Sequence, residues 1–153
     1  MITVTPAEPR HAEALAALLE EMDRFYGSKV HEPLETRLVQ ISDALFASPP
    51  AAYALLAWDD TQLAGLATYS YLWPAVELTR SLYLKELYVA EARRSEGVGK
   101  LIMQAIFDTA QKSGCSRVEW TTDTDNIGAQ EFYQRLGLQK HPTKLFYRTE
   151  DLG

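Results

Sequence analysis

The chain has 153 residues, of which 46% are apolar and 24% charged. One domain of that length and composition can build a core without disulfides or metal, which excludes a fibrous or bulk-disordered chain. The net charge of −6 resides in residues 1–80, with 11 acids against 5 bases, while residues 81–153 carry 10 of each.

Met1 to Pro6 has neither a basic start nor an apolar stretch, so no signal peptide is expected there. Ile2 to Thr5 alternates as a short strand does. From Pro9 to Phe25 the apolar residues Ala12, Leu15, Leu19 and Met22 recur at helical spacing, and Gly27-Ser28 ends the run. Pro33 opens a second helix with Leu38, Ile41 and Leu45 as its stripe, closing before Ser48-Pro49-Pro50. Ala51 to Trp58 and Gln62 to Tyr71 read as a hairpin about Asp59-Asp60-Thr61, with Gly65 marking a bulge. Leu72 to Arg80 is a loop, and Ser81 to Val89 is a strand. A long helix carries Val98, Leu101, Ile102, Ala105, Ile106 and Ala110 on one face and stops at Gly114. Cys115 to Thr122 is a strand and Asn126 to Leu136 a short helix ended by Gly137. Leu145 to Arg148 is expected to close the sheet as a last strand. Alternating strands and helices place the chain in the α/β or α+β class with a mixed sheet.

Several functions are disfavoured at this level. No basic face suggests nucleic-acid binding, and the longest apolar run, Ala51 to Trp58, is too short to span a membrane. One cysteine, Cys115, with His11, His31 and His141 scattered, assembles neither a disulfide nor a zinc site. A cytoplasmic setting, with no metal, membrane or nucleic-acid partner, is the expectation.

The densest local signal is Arg94-x-x-Gly97-x-Gly99 between a strand and a helix. Glycines there let a phosphate approach backbone amides, and the helix start adds unpaired N–H groups and the positive end of its dipole. Arg93, Arg94 and Lys100 add positive charge. Leu101 after Gly99-Lys100 rules out a Walker loop, and Ile102 stands where a dinucleotide fingerprint needs glycine.

This loop resembles the acetyl-CoA pyrophosphate signature of the GNAT superfamily of N-acetyltransferases. A second segment, Asn126-x-x-Ala129-x-x-Phe132-Tyr133-x-x-x-Gly137-Leu138, resembles that family's downstream pattern, and the order of elements matches over essentially the whole chain. The resemblance implies a single N-acetyltransferase domain over 1–153. It implies a mostly antiparallel twisted sheet flanked by helices, with splayed central strands, and acetyl-CoA as cofactor. Coenzyme A would meet the backbone of Leu87 and Val89, the loop Arg94, Ser95, Glu96, Gly97, Val98, Gly99 and Lys100, and Asn126. Asn126 is equally suited to capping its helix. Tyr133 resembles the tyrosine that protonates the departing thiolate; packing with Phe132 and Ala129 is its plain alternative. Glu86 would be the general base, against an edge salt bridge. Tyr88, or a carboxylate of the first two helices, could take that part through water.

The family usually builds its acceptor site from the first two helices and the loop before the central strand. That region carries Asp23 and Glu77, and Tyr26, Glu32, Glu35, Tyr71, Trp73 and Tyr88 are the candidates here, since carboxylates and aromatic faces attract an ammonium. The expected acceptor is a small cationic amine: a polyamine, a diamine, a lysine-like amino acid or an aminoglycoside. Tyr69 to Pro74 and Leu82 to Val89 have some likeness to the spermidine/spermine and thialysine acetyltransferase branch. Lys85, however, replaces the first residue of that branch's acidic pair. A protein lysine or N-terminal acetyltransferase, or a non-catalytic acetyl-CoA sensor, are the alternatives. A homodimer is expected by analogy, with Phe146-Tyr147 available for pairing. Solubility is the plain account of the acidic half; an acidic wall for a cationic acceptor is the sharper one.

Overall fold

The computed structural model describes residues 1–152. It resolves into two compact units, Met1–Glu119 and Trp120–Gly153. In the first unit the alternating segments become β1 (Ile2–Pro6), β2 (Tyr53–Asp59), β3 (Gln62–Leu72), β4 (Arg80–Val89) and β5 (Cys115–Glu119). The periodic segments become α1 (Ala12–Phe25), α2 (Leu34–Leu45) and α3 (Val98–Lys112). The sheet runs in chain order, antiparallel from β1 through β4, with β5 parallel to β4. This is the mixed, mostly antiparallel α/β architecture expected.

Side-chain alternation assigns the helices to opposite faces. Leu66 and Tyr88 join Leu15, Leu18, Met22 and Ile41 of α1 and α2 in one core cluster. The neighbouring Gly65 faces α3: a Cβ there would stand 2.9 Å from Ile102 Cδ1 and 3.2 Å from Val98 Cγ1. Bulk at position 65 is thus excluded by the approach of α3. The bulge itself is the adjacent Ala64, since Ala57 pairs with Gly65 and Trp58 already with Leu63.

Side-chain contacts hold β4 and its neighbour β3 in place on the two faces of the sheet. The Tyr88 hydroxyl donates to Glu21 Oε2 of α1 at 2.5 Å, and the same oxygen accepts from the Glu91 N–H at 3.1 Å. On the α3 side Tyr69 is buried, stacked on Tyr53 with ring centroids 5.4 Å apart, and edge-on to Tyr71. The Tyr71 hydroxyl meets Ser113 Oγ at 2.9 Å.

In the second unit α4 (Ile127–Arg135) is capped at its start by Asn126 Oδ1, which accepts from the Ala129 N–H at 3.1 Å. Gly137, at φ +80°, ends it, with the Leu138 N–H bonded to Tyr133 O at 3.0 Å. The last strand expected at Leu145–Arg148 does not form. Leu145, Phe146 and Tyr147 are exposed. A short apolar run becomes a strand only where a partner takes its backbone bonds. No helix among the described residues is long and apolar enough to cross a membrane.

Gly65→Ala is expected to destabilise by about 1–3 kcal/mol, since two side chains of α3 and the Tyr88 carbonyl must give way; denaturant unfolding measures this. Burial, and then Glu21, push Tyr88 up to about 12; burial, Tyr71 and Tyr53 do the same for Tyr69. Unfolded tyrosine ionises near ~10, so both phenols contribute stability fully below that pH and lose it as pH rises through the folded value. The denaturation midpoint should fall as pH rises from ~10, and fall less in Tyr88→Phe.

Candidate active site

β4 is unequally partnered. β3 follows it from Ser81 to Val89, but β5 pairs only with Arg80 to Tyr83. Within the first unit the edge from Leu84 to Val89 therefore has its ladder on one side, and Leu87 and Val89 lie on that stretch. The Val89 carbonyl accepts from Arg94 Nε at 3.2 Å.

A bulge re-aims the same stretch. Thr68 pairs with Glu86 and Tyr69 with Leu84, so Lys85 is the extra residue and is exposed. Leu82 and Leu84 are buried on the α3 side, whereas Glu86 and Tyr88 turn towards α1 and α2. Glu86 is half-buried.

Past Val89 the chain makes a 3-10 turn at Glu91–Arg93 and enters the glycine loop. Ser95 at φ +66° and Gly97 at φ +83° both take left-handed conformations, and Gly97 caps α3. The first helical bond runs from Leu101 N–H to Gly97 O. The amides of Val98, Gly99 and Lys100 precede it, so they have no acceptor within the helix and lie at the positive end of its dipole. A Cβ built on Gly97 would meet nothing within 4 Å. An exposed loop, uncovered backbone and helix-start amides suit a pyrophosphate. Val98, by contrast, points its side chain into the core. Only its amide is available to a ligand.

The cations beside the loop are less available than their number suggests. Arg93 Nη2 is 2.6 Å from Asp59 Oδ2, and Nε donates to Glu96 Oε1 at 3.0 Å. That guanidinium holds the Asp59 carboxyl below its ordinary range. Arg94 folds over aromatic rings, 4.5 Å from the Phe25 centroid and 5.3 Å from that of Tyr88. Lys100 is exposed in the first turn of α3. Arg93 is thus compensated by two carboxylates, Glu96 three residues on and Asp59 34 residues earlier, and nothing local in the sequence signals the second.

The acceptor candidates separate. Tyr88 is buried and bonded to Glu21, and its raised pKa opposes a proton-accepting role near neutrality. Tyr26 is half exposed, edge-on to Phe25 at the end of α1. Glu32 and Glu35 are exposed, before and within the first turn of α2. Tyr71 falls on the α3 face, with Arg80 4.3 Å above its ring, opposite to Glu86. Trp73 is exposed and donates through Nε1 to Leu78 O at 2.8 Å, closing its own loop. Tyr71 is therefore on the opposite face of the sheet from Glu86, and Trp73 lies in the loop between β3 and β4. In the second unit the Tyr133 ring lies 5.1 Å from Trp120 and 5.2 Å from Phe132. Asn126 spends its Oδ1 on the cap.

Residues missed in the sequence stand out instead. Glu21 ties Tyr88 to the loop entry. A cavity of about 380 Å³ opens between α1 and α2 over β3, lined by Leu15, Leu19, Ile41, Asp23, Arg37 and Thr68 among others. Thr68 is the residue opposite Glu86. Asp23 is already among the acidic residues of the expected acceptor region; Arg37 stands on the other helix 14 positions on, so no local spacing announces their pairing.

Residues 15–138 match the acetyltransferase (GNAT) family. The D-amino-acid N-acetyltransferase HPA3 of Saccharomyces cerevisiae is 29% identical over 97% of this chain and 86% of its own length. The L-ornithine N5-acetyltransferase NATA1 of Arabidopsis thaliana is 31% identical over 53% of this chain, a stretch spanning only 36% of that protein. Among solved structures, an integron cassette protein from the mobile metagenome of V. cholerae superimposes with a TM-score of 0.90 at 24% identity, covering 99% of this chain and 93% of that one. The family match extends from α1 through the glycine loop to the end of α4, and on it the chain belongs to the acetyltransferase (GNAT) family of enzymes.

Proposed function

We propose that this chain transfers an acetyl group from acetyl-CoA to the nitrogen of a small cationic amine. The observation that carries the reading is the run of β4 into the loop: a strand edge bonded on one side, followed directly by left-handed Gly97 and the free amides of α3. Coenzyme A needs two kinds of contact, main-chain bonds along its pantetheine arm and amides around its pyrophosphate. Leu87 and Val89 would supply the first; residues Arg94 to Lys100 would supply the second. Asn126, as the family resemblance implies, would add its side-chain amide.

Acetyl-CoA, when bound, supplies an activated thioester. The protein's part is to manage two protons. An alkyl ammonium with pKa ~10.4 must lose a proton to become nucleophilic, which costs about 4–5 kcal/mol at pH 7. Glu86, directed to the α1 and α2 side by the bulge at Lys85, is the group proposed to take it, directly or through water. Tyr133 is the group proposed to protonate the departing sulfur, since a phenol of pKa ~10 is protonated at pH 7. The acidic N-terminal half and the amine substrates named for the ornithine and D-amino-acid relatives support a small amine as acceptor. A cytoplasmic homodimer belongs to the same reading by family analogy.

The test is release of free thiol from acetyl-CoA across a panel of amines; binding of CoA without amine-dependent thiol release would defeat the reading. Tyr133→Phe should lower kcat by about 10²–10⁴-fold while leaving CoA affinity nearly intact. Glu86→Gln should depress kcat/KM most at low pH, where neutral amine is scarcest. A small loss that does not vary with pH would make Glu86 structural.

A further inference from the structure

The cavity between α1 and α2 carries a charge pattern that a polyamine does not match. Its walls are largely aliphatic, from Leu15, Leu19 and Ile41. Among the described residues lining it, Arg37 is the one cation and Asp23 the one anion. Arg37 is 16% exposed and Asp23 39%. Arg37 Nη1 stands 3.5 Å from Asp23 Oδ2, and Nη2 donates to Ala16 O at 3.4 Å. Charge-assisted bonds settle near ~2.7–2.9 Å, so both contacts are long, and a guanidinium has five N–H donors to place. Its planar fork matches a carboxylate with two parallel bonds.

An acceptor with only ammonium groups gains from Asp23 but brings its charge against a sheltered guanidinium. An acceptor that also carries a carboxylate satisfies both: carboxylate on Arg37, α-ammonium on Asp23, methylenes along the leucines. Thr68, on the same cavity, is paired across the sheet with Glu86. A second amine at the far end of such a molecule would run towards that rung. We infer that the acceptor is a diamino acid, with its zwitterionic head held by Asp23 and Arg37 and its side-chain amine directed to the Thr68–Glu86 rung. The fate of that amine rests on the acetyl-transfer reading; the recognition of the head does not.

The experiment compares molecules that differ only by the carboxylate: lysine with cadaverine and ornithine with putrescine. Binding to the CoA-saturated protein is measured by calorimetry, and turnover by thiol release. The amino acid of each pair should bind and react about 10–100-fold better, the worth of a charge-assisted carboxylate contact. Arg37→Gln should bring that ratio close to one, and Arg37→Lys should restore part of it. Diamines that bind as well as the amino acids would overturn the inference without any variant being made. So would a preference that survives Arg37→Gln. Arg37-dependent binding of lysine without thiol release from any amine would uphold the head site while defeating acetyl transfer.

Discussion

The hydrogen bonding of β4 is the constraint on which the rest of the first unit depends. A strand in the middle of a sheet must place its N–H and C=O groups on both sides. β3 accompanies β4 along nearly its whole length, but β5 leaves it after Tyr83. The change from an antiparallel to a parallel neighbour requires a crossover, and α3 is that crossover. The remaining edge, Leu84 to Val89, leads directly into the glycine loop. One event in the sheet thus sets both the open main-chain edge and the position of the amide-rich helix start.

The bulge at Lys85 is the second consequence. It lets Leu82 and Leu84 remain buried beneath α3 while Glu86 and Tyr88 face α1 and α2. Without the extra residue Glu86 would share a face with Leu84, and its carboxylate would be driven among the apolar side chains of α3, at a desolvation cost no partner there offsets. Glu21 then fixes the end of the strand by holding both the Tyr88 hydroxyl and the Glu91 amide. Arg94 lies over Tyr88 and Phe25, so the residues that begin the loop are ordered from the helical layer as well as from the sheet. The cavity lies on this same face, lined by Asp23, Arg37 and Thr68, and Thr68 is the cross-strand partner of Glu86.

Much of the architecture was legible from local pattern. Of the stripe expected on α3, Val98, Ile102, Ile106 and Ala110 are buried and Ala105 is partly so, whereas Leu101 is exposed and Met103 is buried in addition. Gly97 and Gly137 occupy the left-handed positions that end or begin a helix. Gly65 marked a bulge, though its own necessity comes from the approach of Ile102. Leu145 to Arg148 misled because a strand is a property of two chains' worth of backbone, and a short apolar run specifies only one of them. The pairing of Arg93 was not legible for a related reason: one of its partners is Asp59, 34 residues earlier.

The sequence by itself determined the periodic elements, their order, the glycine loop before α3 and the second motif that together identify the family. These are short-range properties, written in spacings of two to four residues and in the backbone freedom of glycine. Only the tertiary structure decided which charges remain available and which face each strand residue takes. A one-residue bulge reverses the facing of everything beyond it, and an ion pair such as Asp23 with Arg37 exists only once two helices are packed side by side. The proposed recognition of the acceptor depends on that second kind of fact, because it would rest on side chains that meet in space and not on any spacing along the chain.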